Sequence, residues 1–332
     1  MKKIAVEEAI GQELLHDLTA ILEGGFKGVR FKRGHRIEAE DIPVLLSMGK
    51  EHVYIAEPGD DFVHEEDAAK RVLDLAVGDF IEVTGPSEGK FNLLAACDGC
   101  FLVDEEGLYA INATEDYSFA TIMNKVPVKK GDLLAGARII PLLTSEDRVR
   151  EAEGLADRYF PIFQVLPYRP MKVGMVITGS EIYKGRIKDA FEPILRKKLE
   201  AYGAEVQEAI ICPDDGEMIE EAILAQEKRG AGLVLITGGM SVDPDDMTPD
   251  IIKKLSDRLI FHGLPVQPGN MLTIGQRGET YLIGVPGASM HSKLTSLDLF
   301  LPRIFSGLEI RREESIRLGL GGLSICRQWP EL

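Results

Sequence analysis

A chain of 332 residues with 45% hydrophobic content can bury a sizeable core and has room for two or three domains of roughly 100–200 residues. A net charge of −16 and a pI near 4.9 repel a phosphate backbone over most of the surface, which argues against a nucleic-acid partner and asks any phosphorylated small ligand for local help. No apolar run approaches the roughly 20 residues a bilayer span needs, and Met1-Lys-Lys runs into Glu7 and Glu8 instead of a signal-peptide core, so no membrane association and a cytoplasmic location are expected.

From Ile4 to Leu22 apolar residues recur every four positions (Val6, Ile10, Leu14, Leu18, Leu22), which predicts a helix broken at Gly24-Gly25. The next block predicts a strand over Phe31–Ile37, a short helix from Asp41 closed by Gly49, and a strand over His52–Ile55. These form a small α+β region, taken as residues 1–78. Short alternating segments separated by glycine-bearing turns, among them Phe80–Val83, Phe101–Val103, Leu108–Ile111, Asp132–Ala135 and Arg138–Ile140, predict a β-rich module over 79–143. The four cysteines are too few for a disulfide scaffold, and Cys97-Asp-Gly-Cys100, without a second such pair, reads as two thiols flanking a turn.

A polar helix at about 144–157 leads to Pro161, Pro167 and Pro170, giving a helix and linker over 144–170 and a domain boundary. Beyond Met171 strands predicted at 172–177, 205–211, 232–236, 271–274 and 280–285 alternate with helices at about 188–202, 215–229, 249–258 and 289–306. That rhythm predicts an α/β domain at 171–308, a doubly wound and mostly parallel sheet covered on both faces, followed by a tail at 309–332. In such sheets ligands sit beyond the carboxyl ends of the strands.

Five loops begin at those ends: Thr178-Gly-Ser-Glu181 with Asp189 behind it, Cys212-Pro-Asp-Asp-Gly216, Thr237-Gly-Gly through Thr248, Gln267-Pro-Gly-Asn270, and Pro286-Gly-Ala-Ser289. Asp214 or Asp215 could simply cap the helix near Glu217, Thr248-Pro249 is a good helix start in its own right, and Ser289 suits a cap as well as a ligand contact. The third loop asks for more than capping. Asp243, Asp245 and Asp246 gather three carboxylates beside Gly238-Gly239, a repulsive cluster that a hard cation such as Mg²⁺ would relieve. Other signatures are missing: Gly85 to Lys90 lacks P-loop spacing, no strand is followed by a dinucleotide fingerprint, no nucleophile elbow occurs, and His262 and His291 stand alone.

Val173-Gly-Met-Val-Ile-Thr-Gly-Ser-Glu181, the Asp214-Asp215 turn, Gly238-Gly-Met-Ser-Val242, Asp246-Met-Thr248, Gln267-Pro-Gly-Asn270 and Val285-Pro-Gly287, in that order, resemble the molybdopterin-binding domain of molybdenum-cofactor biosynthesis proteins. Val6–Gly11, Arg33–Ile37, Asp41–Gly49 and Lys130–Arg138 look like pieces of the multidomain molybdenum insertases, related to the gephyrin E domain. The resemblance implies molybdopterin or adenylylated molybdopterin as ligand, Mg²⁺ as helper, molybdate as substrate and AMP as product. It implies a homodimer as well, with a molybdoenzyme or another cofactor-biosynthesis protein as partner.

Carried onto this chain, the resemblance gives Glu181, Asp214 and Asp246 catalytic positions. Thr178, Gly179, Gly238, Gly239, Ser241, Pro268, Gly269, Asn270, Pro286, Gly287 and Ser289 would line the ligand, and Asp189, Asp215, Asp243 and Asp246 would hold the metal. The chain departs from the family at Asn270, where a lysine is usual, at Ala288-Ser289, where Asn-Pro is usual, and in lacking the insertase's N-terminal signature segment. Binding or delivery of molybdopterin without turnover therefore stands beside insertion. The loop from Asp243 to Thr248 also resembles the competence/damage-inducible family, which implies a nucleotide pyrophosphatase or pyridine-nucleotide deamidase.

Overall fold

The computed structural model describes residues 2–21, 27–55, 62–241, 243 and 246–330. The chain divides into two compact units. The first takes Met1–Ala96, Leu102–Met123 and Gly131–Gln164; the second takes Cys97–Phe101, Asn124–Lys130 and Val165–Leu332.

In the first unit the predicted helix at Ile4–Leu22 does not form. Lys2–Ala5 is a strand antiparallel to His52–Ile55, a single 3₁₀ turn follows at Val6–Glu8, and Leu18–Ile21 pairs with Lys27–Phe31. Val6, Leu14 and Leu18 do enter one core with Ile37, Leu45 and Val53, but from a bent chain: Ile10 is 53% exposed and Gly11 takes φ 82°. A four-residue recurrence is thus satisfied here without a helix, while Leu22, Gly24 and Gly25 lie outside the described residues. The strand expected over Phe31–Ile37 ends at Phe31, and the helix at Asp41–Ser47 forms.

The β-rich module is a four-stranded antiparallel sheet in the order Ile81–Ser87, Lys90–Ala95, Leu133–Ile139, Tyr117–Thr121. Leu108–Ile111, expected as a strand, belongs to a helix at Glu105–Ala113. Asp104 starts it by accepting the Gly107 N–H at 2.7 Å, and Leu108 and Ile111 are its buried face. Helices Glu65–Ala76 and Glu146–Arg158 complete the unit, pinned together by Arg71, whose guanidinium reaches both Glu146 and Glu153 at 2.8 Å.

The second unit is α/β. The strands of its seven-stranded sheet are β1 (Lys172–Thr178), β2 (Glu205–Val206), β3 (Ile210–Cys212), β4 (Leu233–Thr237), β5 (Arg258–His262), β6 (Thr273–Arg277) and β7 (Thr280–Gly284). The sheet runs β2, β1, β4, β7, β6, β5, with β3 sharing the β2 edge of β1; pairs among β1 to β4 and β7 are parallel, and β6 and β5 continue antiparallel. The run expected at 205–211 is therefore two short strands on one edge. The helices are α1 (Ser180–Tyr183), α2 (Phe191–Glu200), α3 (Gly216–Lys228), α4 (Thr248–Leu255) and α5 (Ser296–Phe305), with two short ones, Arg312–Arg317 and Ile325–Gln328, after it.

Every residue of β4 is buried, as expected for a strand covered on both faces. Val234 and Ile236 point with Val176 and Leu282 into a core completed by Ile219 and Ile223 of α3 and Ile251 and Ile252 of α4. Alternation sends Leu233 and Leu235 to the other face. Two expectations are corrected here. The helix placed at 249–258 stops at Leu255, and Arg258–His262 becomes the antiparallel edge strand. The helix placed at 289–306 is a 3₁₀ turn at Gly287–Met290 and then α5, which Thr295 and Asp298 open with a capping box.

Candidate functional site

Parallel register brings the loop origins together. Ile177 lies opposite Thr237, Ile236 opposite Gly284, and Thr178 opposite Cys212, so the loops leaving β1, β3, β4 and β7 share one rim of the sheet.

The loop after β4 is held by its own short-range bonds. Gly238 and Gly239 take φ 88° and 55°, conformations that cost a side-chain-bearing residue. A Cβ on Gly238 would overlap Thr178 Oγ1 and stand 2.5 Å from the Thr178 carbonyl; one on Gly239 would lie 2.9 Å from Thr248 Oγ1. These glycines are thus required by the approach of β1 and α4, where the sequence suggested the approach of a ligand. Thr248 Oγ1 donates to the Gly238 carbonyl at 2.9 Å, and Asp246 Oδ2 accepts the Ser241 N–H at 2.8 Å. Asp245 lies outside the described residues.

Around this turn is a cavity of about 370 Å³. Gly238, Gly239, Ser241 and Asp246 wall it on one side; Gly269 and Asn270 from the 267–270 loop and Pro286 and Gly287 from the last loop close it. A Cβ at Gly287 would meet nothing within 4 Å, so that wall is open space at the cavity edge. The rest of the lining is apolar: Phe191, Met240, Met271, Val285, Ala288 and Met290. Sequence reasoning misses these, because a search for polar groups passes over methionines; their places beside Gly239, Asn270 and Ser289 are the available signal.

The other predicted residues build the rim without lining the cavity. Asp214 Oδ2 accepts the Ser180 N–H at 2.9 Å and zips the first loop to the second. Asp215 caps α3 by accepting from Met218 N at 3.0 Å, and Asp189 caps α2 by accepting from Phe191 N and Glu192 N at 3.2 and 2.7 Å. Thr178 is buried with its hydroxyl unpartnered, Gly179 donates its N–H to the Cys212 carbonyl at 3.2 Å, and Glu181 is exposed. Pro268 offers its carbonyl to Ser296 N at 3.1 Å. Ser289, 1% exposed, turns its hydroxyl to Thr295 Oγ1 at 3.1 Å, behind the rim cavity instead of into it.

Among the described residues no three His, Cys, Asp or Glu side chains gather as a metal-ligand group, so Asp189, Asp215, Asp243 and Asp246 do not form one shared cation site there. Cys97 and Cys100 are free thiols, and burial pushes Cys100 up to about 12, where it is protonated and inert at neutral pH.

Residues 174–306 match the family described as a probable molybdopterin binding domain. The matched residues carry most of the second unit's seven-stranded sheet. Residues 3–57, in the first unit, match a family described only as a domain of unknown function. The chain is 28% identical over 190 residues to a molybdopterin molybdenumtransferase of Haemophilus influenzae, covering 53% of this chain and 43% of that protein. It thus spans less than half the length of that relative. It is 30% identical over 105 residues to a CinA-like protein of Mycolicibacterium gilvum, covering 32% of this chain and 24% of that one. Among solved structures, the molybdopterin biosynthesis enzyme MoaB of Thermus thermophilus aligns at 25% identity and a TM-score of 0.36, over 41% of this chain and 97% of its own. Among the described residues no helix is long and apolar enough to cross a membrane.

Proposed function

We propose that the rim cavity of the molybdopterin-binding-family domain takes molybdopterin or adenylylated molybdopterin, and that the protein acts in molybdenum-cofactor biosynthesis as an insertase-like transferase. The observation that carries this is the convergence of residues 238–241 and 246, 269–271 and 285–288, from three motif loops, on one cavity of about 370 Å³ inside the matched residues. Its chemistry suits the ligand. Phe191, Met240, Met271 and Met290 offer polarisable apolar surface to a planar ring, and Ser241 and Asn270 offer hydrogen-bonding groups at the open side.

Asp214 and Asp246 each accept a backbone N–H from a neighbouring loop residue, so both act as positioning groups that hold the rim in shape. Glu181 is exposed at the rim, as are Asp214 and Asp215. Because Asp189 and Asp215 are helix caps and no ligand group is assembled among the described residues, the reading routes no step through Mg²⁺. That same commitment of carboxylates, with Asn270 uncharged, favours binding and delivery as the second reading.

The test is to incubate the purified chain with adenylylated molybdopterin and molybdate, with and without Mg²⁺, and to follow AMP release and pterin retention. AMP release with retained metal-loaded pterin supports insertion, retention alone supports delivery, and no retention sinks both. Hydrolysis of ADP-ribose or deamidation of a pyridine nucleotide would transfer the reading to the chemistry suggested by the competence-type resemblance. Gly287→Ala, whose added Cβ meets no protein atom within 4 Å, is expected to weaken pterin retention about tenfold while leaving thermal unfolding unchanged.

A further inference from the structure

In the first unit the helix Glu65–Ala76 is capped by a side chain that can change its charge near neutral pH. The helices Glu105–Ala113 and Glu146–Arg158 of the same unit start on Asp104 and Ser145, which keep one charge state between about pH 5 and 8. Here the cap is His64, the last residue of the strand Phe62–His64, and its Nδ1 accepts the Glu66 N–H at 3.3 Å. A ring nitrogen that accepts carries no proton, so the bond requires the neutral imidazole with its proton on Nε2. The residue is 5% exposed, and Nε2 makes no hydrogen bond of good geometry.

Protonation works against this arrangement in three ways. It sets an N–H on Nδ1 against the Glu66 N–H, so the cap bond is lost; it puts a full charge at the positive end of a helix; and it does so in a buried site. The surrounding groups are divided. Arg33, which reaches Asp67 Oδ2 at 2.8 Å and Glu66 Oε2 at 3.7 Å, opposes a charged ring, and so does His16. Glu66 Oε2, 3.9 Å from Nδ1, Asp67 and the Leu15 backbone favour it, and the strand Leu143–Ser145 that pairs with Phe62–His64 brings no titratable side chain. Burial, followed by Arg33, prevails and lowers His64 below its ordinary 6.5; burial, followed by Lys50, outweighs Asp17 and lowers His16 likewise.

We propose that His64 is an acid-sensitive latch: in mild acid its protonation frees the start of the helix Glu65–Ala76 and loosens the ties from Arg33 to Glu66 and Asp67 that hold the chain around Leu15–Asp17 and Arg33 to that helix. The latch is independent of what the rim cavity binds.

A lowered folded-state value makes the contribution of neutral His64 complete above about 6.5 and declining as pH falls below it. Glu65 and Glu66, both raised by burial, act with the opposite sign, and the Glu146 carboxyl acts only below about 4.5. Hydrogen exchange of the full chain, corrected for the intrinsic effect of pH, is therefore read over residues 62–76 at pH 7.5 and 5.5. Protection is expected to fall about tenfold at the lower pH. His64→Asn, a cap that accepts without titrating, should keep the protection seen at pH 7.5 and remove the acid loss, whereas His64→Ala should lower protection at both pH values. An acid loss in His64→Asn equal to that of the wild type, no acid loss in the wild type, or full protection in His64→Ala overturns the proposal. Should the asparagine variant not fold, ring-carbon NMR of His64 in the wild type decides: titration below 6.5 in step with the loss of protection supports the latch, and titration at or above 6.5 overturns it.

Discussion

Gly238 and Asp246 show how the rim turn is built from single atoms. At φ 88°, and with Thr178 where a Cβ would go, Gly238 admits no side chain. Gly238→Ala is expected to cost about 1–3 kcal/mol in urea unfolding and to deform the cavity wall, weakening pterin binding along with stability. Asp246 works through one oxygen that receives the Ser241 N–H. An asparagine keeps a carbonyl oxygen there, so Asp246→Asn should bind pterin nearly as the parent does. Asp246→Ala should weaken binding about five- to tenfold by releasing the loop, the net worth of one solvent-exposed hydrogen bond. Equal loss in both variants would mean that the charge itself is used, and the positioning role would be wrong.

Between elements, the clearest electrostatic tie is the one joining the helices Glu65–Ala76 and Glu146–Arg158. Hydrogen bonds from the Arg71 guanidinium hold the Glu146 carboxyl down at about 2, against an ordinary 4.5. A depressed folded-state value contributes stability that is complete above about 4.5 and is lost as pH falls through about 2. Acid titration of the wild type should therefore show unfolding late in that window, and Arg71→Met should move the acid midpoint up by about one pH unit. Unchanged midpoints would show the pair to be silent.

The same scale shows what the amino-acid order discloses. Buried strands flanked by helix-start residues are readable: β1, β4 and β7 are short apolar runs, and Asp215 caps its helix as its residue type suggests, whereas Thr248 begins α4 with its hydroxyl on the Gly238 carbonyl and caps nothing. The stretch from Ile4 to Ile21 is not, because residues four apart meet in one core whether a helix or a folded-back chain presents them, and only Gly11's left-handed turn separates the two. At the site, Gly238, Gly239, Ser241 and Asn270, expected around a ligand, and Asp246, expected on a metal, all border the rim cavity. The roles of Asp189 and Asp215 are not: a carboxylate that caps a helix and one that binds a cation have the same sequence appearance, and only the Glu192 and Met218 N–H groups in front of them decide.

For the molecule as a whole, the second unit is not continuous in the chain. It draws in Cys97–Phe101 and Asn124–Lys130, which pair with each other as antiparallel strands, Val126 opposite Phe101 and Val128 opposite Gly99. Lys125 then reaches Glu314 at 2.6 Å, and Glu314 also holds the 4%-exposed Arg303 of α5 at 3.1 Å. A fragment of residues 165–332 keeps the whole seven-stranded sheet and the rim cavity but lacks both excursions and the Lys125 charge. It is expected to melt about 5–10 °C below the intact chain, since each 1 kcal/mol is worth roughly 2–4 °C in a unit of this size. Trp329 is the sole tryptophan and lies in this unit, so its emission reports this melting alone. Glu314→Gln in the full chain leaves the Arg303 charge buried with its partner gone and should cost about 3 kcal/mol by the same signal. If fragment and intact chain melt together, the two excursions contribute nothing to the sheet domain, and the continuous stretch after residue 165 is a self-sufficient fold.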